Sequence, residues 1–379
     1  MSLPGRRLIH DPILPMRSFL KFLKYAAIAA TALVLFAVIA FFAVRTLRQN
    51  ANAKAFAIAD PKGIDEAGYV EIGGIRQWIQ VRGHNRDNPI LLCVHGGPGG
   101  TWIPVTRLFA GWERDFTVVL WDQRGAGKTL GATGPGIAAT MSIERMTQDG
   151  IEVAEHLTKR FGRHKVVLLG HSFGSILGTR MALRRPELFH AFVGTGQATD
   201  LPRSMELGYR RLEDGAKARQ DQDTLRGLAQ IGPPPFKAPS QVAGYFQASE
   251  KYQPAADTAA MMELQRSLLS PPPNYSIGDE LNRMKGFMSV PPWSLYQEML
   301  GTRLAEAGLE FKLPVFYFQG TEDHVTPLSL LEAYAAAVRA PHKEVVRLDQ
   351  GGHFAVWSHR EAFHRELMQR VRPWVDRNP

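Results

Sequence analysis

Short apolar runs recur along this chain, each closed by glycine or a polar turn: "ILLCVHGG" (90–97), "FTVVLWDQRG" (116–125), "KVVLLGHS" (165–172) and "AFVGTG" (191–196). Between them lie segments with helical spacing. In 142–161, Ile143, Met146, Ile151, Val153, Ala154 and Leu157 mark one face. Continuous apolar strands alternating with helices predict a mostly parallel sheet covered by helices on both faces, an α/β fold. Ahead of it, "YVEIGGIRQWIQVRG" (69–83) predicts a hairpin, because Gly73-Gly74 supplies the positive φ that a two-residue turn needs. After residue 198 the strand pattern stops. Residues 199–311 are rich in charge, methionine and proline ("GPPPFKAP", "SPPPNY", "SVPPW"), and predict a mostly helical insertion. Strands return at "VFYFQG" (315–320) and "EVVRLDQGG" (344–352), with a helix near 327–339 between them.

One stretch breaks every rule of a soluble fold. Tyr25 to Val44, "YAAIAATALVLFAVIAFFAV", is 20 residues without a charge, and Thr31 is its only polar side chain. At about 1.5 Å per residue it can cross a ~30 Å hydrocarbon core. A buried core helix would show periodic polar positions. A cleavable signal peptide is the rival, since "ANA" (51–53) resembles a cleavage site. This apolar stretch is longer than the roughly 7–15 residues of a signal core and follows a 24-residue head, so it reads as an uncleaved anchor through residues 25–44. Five basic residues precede the span and three follow it, which predicts a cytoplasmic N-terminus and an extracytoplasmic body, periplasmic in a bacterium. A polar linker is expected over about 45–66. The expected division is a basic head and anchor (1–54), the first part of the α/β core (55–198), a helical cap insertion (199–311) and the second part of the core (312–379).

The net charge of +9 would suggest a nucleic-acid partner, but its location argues otherwise. Residues 1–54 hold eight basic residues against one acid, Asp11; the rest carries 37 basic against 35 acidic. The body is nearly neutral, and no nucleic-acid footprint remains. The single Cys93 lies inside an apolar run and reads as a small buried hydrophobe. No H-E-x-x-H or Cys/His cluster appears, so neither a metal nor a cofactor is implied.

The candidate chemistry begins at Gly170-His171-Ser172-Phe173-Gly174, a G-x-S-x-G pattern between a strand and the helical run "SILGTRMALRR". A nucleophilic serine needs a sharp strand-to-helix turn to project its Oγ, and flanking glycines keep that turn free of clashes. It also needs a base and an orienting acid, expected in the order Ser, Asp or Glu, His. Asp323 follows the strand "VFYFQG" and His353 the strand "EVVRLDQGG", so all three stand at strand C-termini, the edge where open α/β sheets bind ligands. His324 and Glu322 are the alternative base and acid; Asp323 sits three residues past Gly320, the preferred position. The glycines of "HGGPGG" (95–100) let backbone approach a substrate, and the N–H groups of Gly97 and Phe173 are the candidate oxyanion donors. Losing one such donor costs about 10²–10³ in rate.

Together "HGGPGG", "WDQRGAGKT" (121–129), "GHSFGS", "GTEDHVTP" (320–327) and "GGHF" (351–354) resemble the α/β-hydrolase fold, and within it the proline iminopeptidase-like branch of serine hydrolases, over about residues 68–378. The resemblance implies a nucleophile Ser172, a base His353, an acid Asp323 in a G-x-x-D turn, an oxyanion hole from Gly97 and Phe173, and a helical cap at 199–311. It departs at Phe173, where proline iminopeptidases usually carry Trp. Those enzymes hold the substrate's α-amine with cap carboxylates; here Glu206 and Glu213, with Asp214, are the candidates, although basic residues alternate with them as on a solvated helix face. The substrate expected is a small molecule or short peptide. The expected function is a membrane-anchored serine hydrolase cleaving an ester or amide through an acyl-enzyme, most like a proline iminopeptidase-type aminopeptidase. A carboxylesterase or lipase-type hydrolase of small acyl esters is the alternative. A non-catalytic hydrolase-like binding domain, against which the intact set of three residues argues, is a further one.

Overall fold

The computed structural model describes residues 13–269 and 271–377; the first twelve residues of the basic head, with Arg6 and Arg7, lie outside them, as does Ser270. The chain opens with α1 (Ile13–Ala55), then the antiparallel hairpin β1 (Ile64–Ile72) and β2 (Ile75–Gly83). Gly73 and Gly74 have φ of 60° and 71°, the double positive-φ turn expected of a twisted hairpin. The core follows as β3 (Ile90–Val94), β4 (Thr117–Asp122), α2 (Gly127–Thr133), α3 (Ile143–Phe161), β5 (Val166–His171), α4 (Phe173–Arg184) and β6 (Phe189–Thr195). Six helices come next: α5 (Leu201–Ala218), α6 (Gln222–Ile231), α7 (Pro239–Glu250), α8 (Ala255–Leu268), α9 (Ile277–Met288) and α10 (Trp293–Leu300). The core resumes with β7 (Val315–Gly320), α11 (Leu328–Ala337) and β8 (Lys343–Leu348), and short helical turns end the chain.

The eight strands form one sheet in the order β1-β2-β4-β3-β5-β6-β7-β8, antiparallel up to the β2–β4 pair and parallel beyond it. Side chains alternate across the sheet, which explains the continuous apolar runs. Leu92, Val94, Val166, Leu168, Val315 and Tyr317 enter one buried cluster; Leu91, Cys93, Val167, Leu169, Phe316 and Phe318 enter another on the opposite face. The helices between β6 and β7 enclose an apolar cluster of their own, around Met205, Leu212, Leu228, Phe236, Val242 and Tyr245. Because all parallel strands point the same way, Ser172, Asp323 and His353 leave the sheet at one edge, beneath these helices.

The sequence reading differs from the structure after Val44. The expected polar linker continues as helix to Ala55. Leu47, Gln49, Ala51, Ala53 and Ala55 are good or neutral helix formers, and the first proline or glycine after the span is Pro61.

Candidate active site

β5 ends at His171 and α4 starts at Phe173, leaving Ser172 alone in the turn with φ 54° and ψ −122°. Such a conformation costs a residue with a Cβ of order 1–3 kcal/mol and persists only where its surroundings hold it. Ser172 N–H donates to the Thr195 carbonyl at 3.1 Å. The Ser172 carbonyl accepts from Ser175 N–H at 2.8 Å and from Ser175 Oγ at 2.6 Å. The flanking glycines are steric necessities. A Cβ on Gly170 would lie 2.6 Å from the Gly174 carbonyl oxygen, and one on Gly174 would strike the Val94 and His95 carbonyls.

The His353 ring reaches the serine from the loop after β8. Its Nε2 is 3.0 Å from Ser172 Oγ, and its Nδ1 is 3.0 and 3.2 Å from Asp323 Oδ2 and Oδ1. Gly196, at the end of β6, makes room for the ring: a Cβ there would lie 2.9 Å from His353 Cε1. Asp323 is wholly enclosed. Its Oδ1 accepts from Val325 N–H (2.9 Å) and Thr326 N–H (2.8 Å), its Oδ2 from Gln319 Nε2 and Thr326 Oγ1 (both 2.8 Å). Burial alone would raise this carboxyl, but the His353 charge and these hydrogen bonds outweigh it, and Asp323 stays below the usual carboxylate range. Burial likewise pulls His353 down, while Asp323 and then Asp257 pull it up more strongly, leaving it above an ordinary histidine.

The other two histidines beside the serine are held neutral. Burial, reinforced by the His353 charge, pushes His171 down to about 3; burial pushes His95 down to about 4. Neutral His171 donates from Nε2 to the His353 carbonyl at 3.0 Å and packs among Trp102, Phe354 and Trp357. His95 donates from Nδ1 to the Gly96 carbonyl (2.8 Å) and accepts on Nε2 from Gln123 N–H (3.3 Å). The glycine loop 95–100 lies flush against the serine turn: a Cβ on Gly96 would stand 3.0 Å from that of Ser172. Of the candidate oxyanion donors, Phe173 directly follows Ser172 at the start of α4, and Gly97 directly follows Gly96 in this loop.

The residue that sequence reasoning missed is Asp257, on α8. It is buried, and its carboxylate accepts from the backbone N–H of His353 (2.7 Å) and of Phe354 (2.9 Å). Gly352 leaves the space: a Cβ there would collide with the carboxylate. On the other side of the site, α9 packs Gly286 against Gly99 of the glycine loop. The helical segment thus touches both the histidine loop and the glycine loop. "WDQRGAGKT" proves to be a brace. Asp122 accepts from Lys128 N–H (2.7 Å), Arg124 is buried against Asp149 (2.8 Å), and Lys128 Nζ bonds Asp279 of α9 (2.8 Å).

The remaining candidates stand elsewhere. His324 lies against Arg211 of α5, and Glu322 is exposed. Glu206 pairs with Arg203 (2.7 Å) and Glu213 with Lys217 (3.0 Å), each within one turn of α5 and open to solvent. Asp214 lines a 610 Å³ cleft with Arg210, Arg211, Arg219 and Tyr252, none of which is in the Ser172–His353–Asp323 group. Cys93 is buried, and burial pushes its thiol far up. Among the described residues no group of three or more His, Cys, Asp or Glu could hold a metal.

The chain belongs to the alpha/beta hydrolase fold family, whose model matches residues 89–360, and it is a hydrolase with similarity to proline iminopeptidases and aminopeptidases. It is 26% identical over 302 residues to a probable aminopeptidase of Bacillus subtilis (strain 168), YbaC, covering 78% of this chain and 93% of that one. It is 31% identical over 156 residues to a proline iminopeptidase of Saccharolobus solfataricus, covering 39% of this chain and 46% of that enzyme. In fold it is similar to a proline iminopeptidase-related protein of Thermus thermophilus (TM-score 0.56, 18% identity, 80% of this chain and 96% of that one). It is also similar to a membrane phospholipase A (TM-score 0.53, 17% identity, 96% of this chain and all of that one). α1 is long and apolar enough to cross a membrane, and an 18-residue stretch of it has a mean hydropathy of 2.8 with none of its residues buried in the protein.

Proposed function

We propose that this chain is a membrane-anchored serine hydrolase that works through an acyl-enzyme. Ser172 Oγ attacks an acyl carbonyl while His353 Nε2 takes its proton. Asp323 holds the Nδ1–H tautomer and stabilises the imidazolium that forms. Gly97 and Phe173 N–H groups hold the oxyanion of the tetrahedral intermediate. His353 returns the proton to the leaving group, then activates a water that frees the acyl group. The observation that carries this reading is the unbroken Asp323–His353–Ser172 line, with both hydrogen bonds at 3.0 Å. Residues 199–311 act as the cap over this edge, on a core made of 55–198 and 312–379. α1 anchors the chain, with the N-terminus cytoplasmic and the catalytic body outside.

An acyl ester fits the cap best as substrate. An N-terminal aminopeptidase must offer a carboxylate to the substrate ammonium; Glu206 and Glu213 are engaged with Arg203 and Lys217, and Asp257 with the histidine loop. Aminopeptidase action is the second reading, favoured by the likeness to YbaC over most of both chains. The test is a panel on the full chain in detergent, comparing proline and alanine naphthylamides with short and long nitrophenyl esters, with Ser172→Ala as control. Ester turnover that disappears in the control supports the first reading, and naphthylamide turnover the second. Absence of labelling by a fluorophosphonate would overturn both.

A further inference from the structure

Outside α1, the large apolar side chains exposed to 45% or more among the described residues all fall between residues 262 and 288: Met262, Leu269, Leu281, Met284, Phe287 and Met288, the last at 75%. They belong to α8, α9 and the loop between. On α9 the division of faces follows helical spacing. Asp279, Asn282 and Gly286 face the core, where they meet Lys128, Gly131 and Gly99; Leu281, Met284 and Met288 repeat the same i, i+3, i+7 interval on the outside. Soluble surfaces rarely keep large apolar side chains exposed in such number on one short segment without a partner.

The place of this patch indicates the partner. Side chains at one-turn intervals on α1, immediately beyond the apolar span, hydrogen-bond the loop joining α8 to α9. Arg45 donates to the Tyr275 carbonyl (2.6 Å), Gln49 to those of Pro272 and Tyr275 (both 3.0 Å), and Arg48 to that of Leu269 (3.3 Å). Arg45 to Gln49 is about 6 Å of helix at about 1.5 Å per residue. The interfacial zone of one leaflet is about 5–8 Å deep. A loop held by these residues stands at headgroup level when Val44 ends the span.

We propose that the outer face of α9, with the loop that joins it to α8, rests in the interfacial layer of the same bilayer that α1 crosses, so that the cap is a lipid-contacting surface. This inference rests on the anchoring reading above. It adds a second, lateral contact: the anchor fixes the height of the loop, and the apolar residues of α9 seat it. A cap edge lying on lipid would take an acyl-chain substrate from the membrane without passing it through water.

The test uses the full chain in phosphatidylcholine–phosphatidylglycerol vesicles, with Met284→Cys or Met288→Cys carrying an environment-sensitive fluorophore. Native Cys93 is buried and stays unlabelled. Arg226→Cys, on the exposed face of α6, is the control. Labels at 284 and 288 are expected to be quenched by nitroxide lipids and shielded from iodide, with the reverse at 226. Iodide access at 284 and 288 in a chain that resists carbonate extraction overturns the docking and leaves the anchor standing. Extraction of the chain by carbonate overturns the anchor and the docking with it. Shielding from both quenchers means that protein covers the face, which also overturns the proposal.

Discussion

In the proposed mechanism His353 must be neutral to take a proton from Ser172, and its surroundings hold it above the ordinary histidine value of 6.5. Asp323 and Asp257 both favour the imidazolium, against burial. kcat/KM for a nitrophenyl ester should therefore rise with pH, with its acid limb centred above 6.5. Asp323→Asn removes the main charge that raises His353 and leaves the wrong tautomer at Nδ1. A pH–rate profile should show the acid limb moved to lower pH and kcat down about 10⁴-fold. Ser172→Ala should lower kcat by about 10⁴-fold or more and abolish fluorophosphonate labelling, with the fold intact by circular dichroism. An unshifted limb in Asp323→Asn would assign the titration to another group.

Among the elements, α8 carries the group whose role is least expected. Asp257 accepts two N–H bonds from the segment that bears the base, so Asp257→Ala leaves His353 N–H and Phe354 N–H without that acceptor. A misplacement of about 1 Å is enough to lower kcat by roughly 10²-fold. Asp257→Ala should thus lower kcat about 10- to 100-fold for a small soluble ester, with KM little changed. Asp257→Asn, which keeps one acceptor oxygen, should fall between. Unchanged kcat with a lower melting temperature would make Asp257 a purely structural contact. Nothing in the sequence near Asp257 announces this. Its partners are backbone amides 96 and 97 positions away, and backbone amides leave no mark on residue choice. The serine turn and the acid and histidine loops were legible for the opposite reason. Each is local, a strand followed by residues whose backbone demands glycine or a short polar turn. The continuation of α1 past Val44 was lost because charged and polar residues after an apolar span resemble a linker, although their helix propensity is good. Glu206 and Glu213 show a related limit: composition identifies carboxylates in the cap segment, but only packing tells which way they face.

Across the whole molecule, three sets of polar connections tie the hairpin, the helical segment and α1 to the core and to one another. The buried Arg124–Asp149 pair also reaches the hairpin, since Arg124 donates to the Gly73 carbonyl at 2.9 Å. Asp149→Ala leaves that guanidinium without its carboxylate and should cost roughly 3–5 kcal/mol in denaturant unfolding. Lys128 ties the core to α9 through Asp279, and Arg45 with Gln49 ties α1 to the loop 269–275. That loop joins α8, which holds the histidine segment, to α9, which holds the glycine loop. The end of α1 is consequently two contacts from both halves of the catalytic edge. Arg45→Ala with Gln49→Ala removes the donors to Tyr275 and Pro272 while leaving residues 25–44 intact, so the chain should stay in the membrane fraction. Amide exchange over 269–288 should rise, because opening free energy is lowest where few hydrogen bonds hold backbone in place. Exchange over β5 and β6, buried in the sheet, should not change. If protection over 269–288 is the same with and without these two side chains, α1 only tethers the enzyme and the cap keeps its position through Lys128 and the core alone.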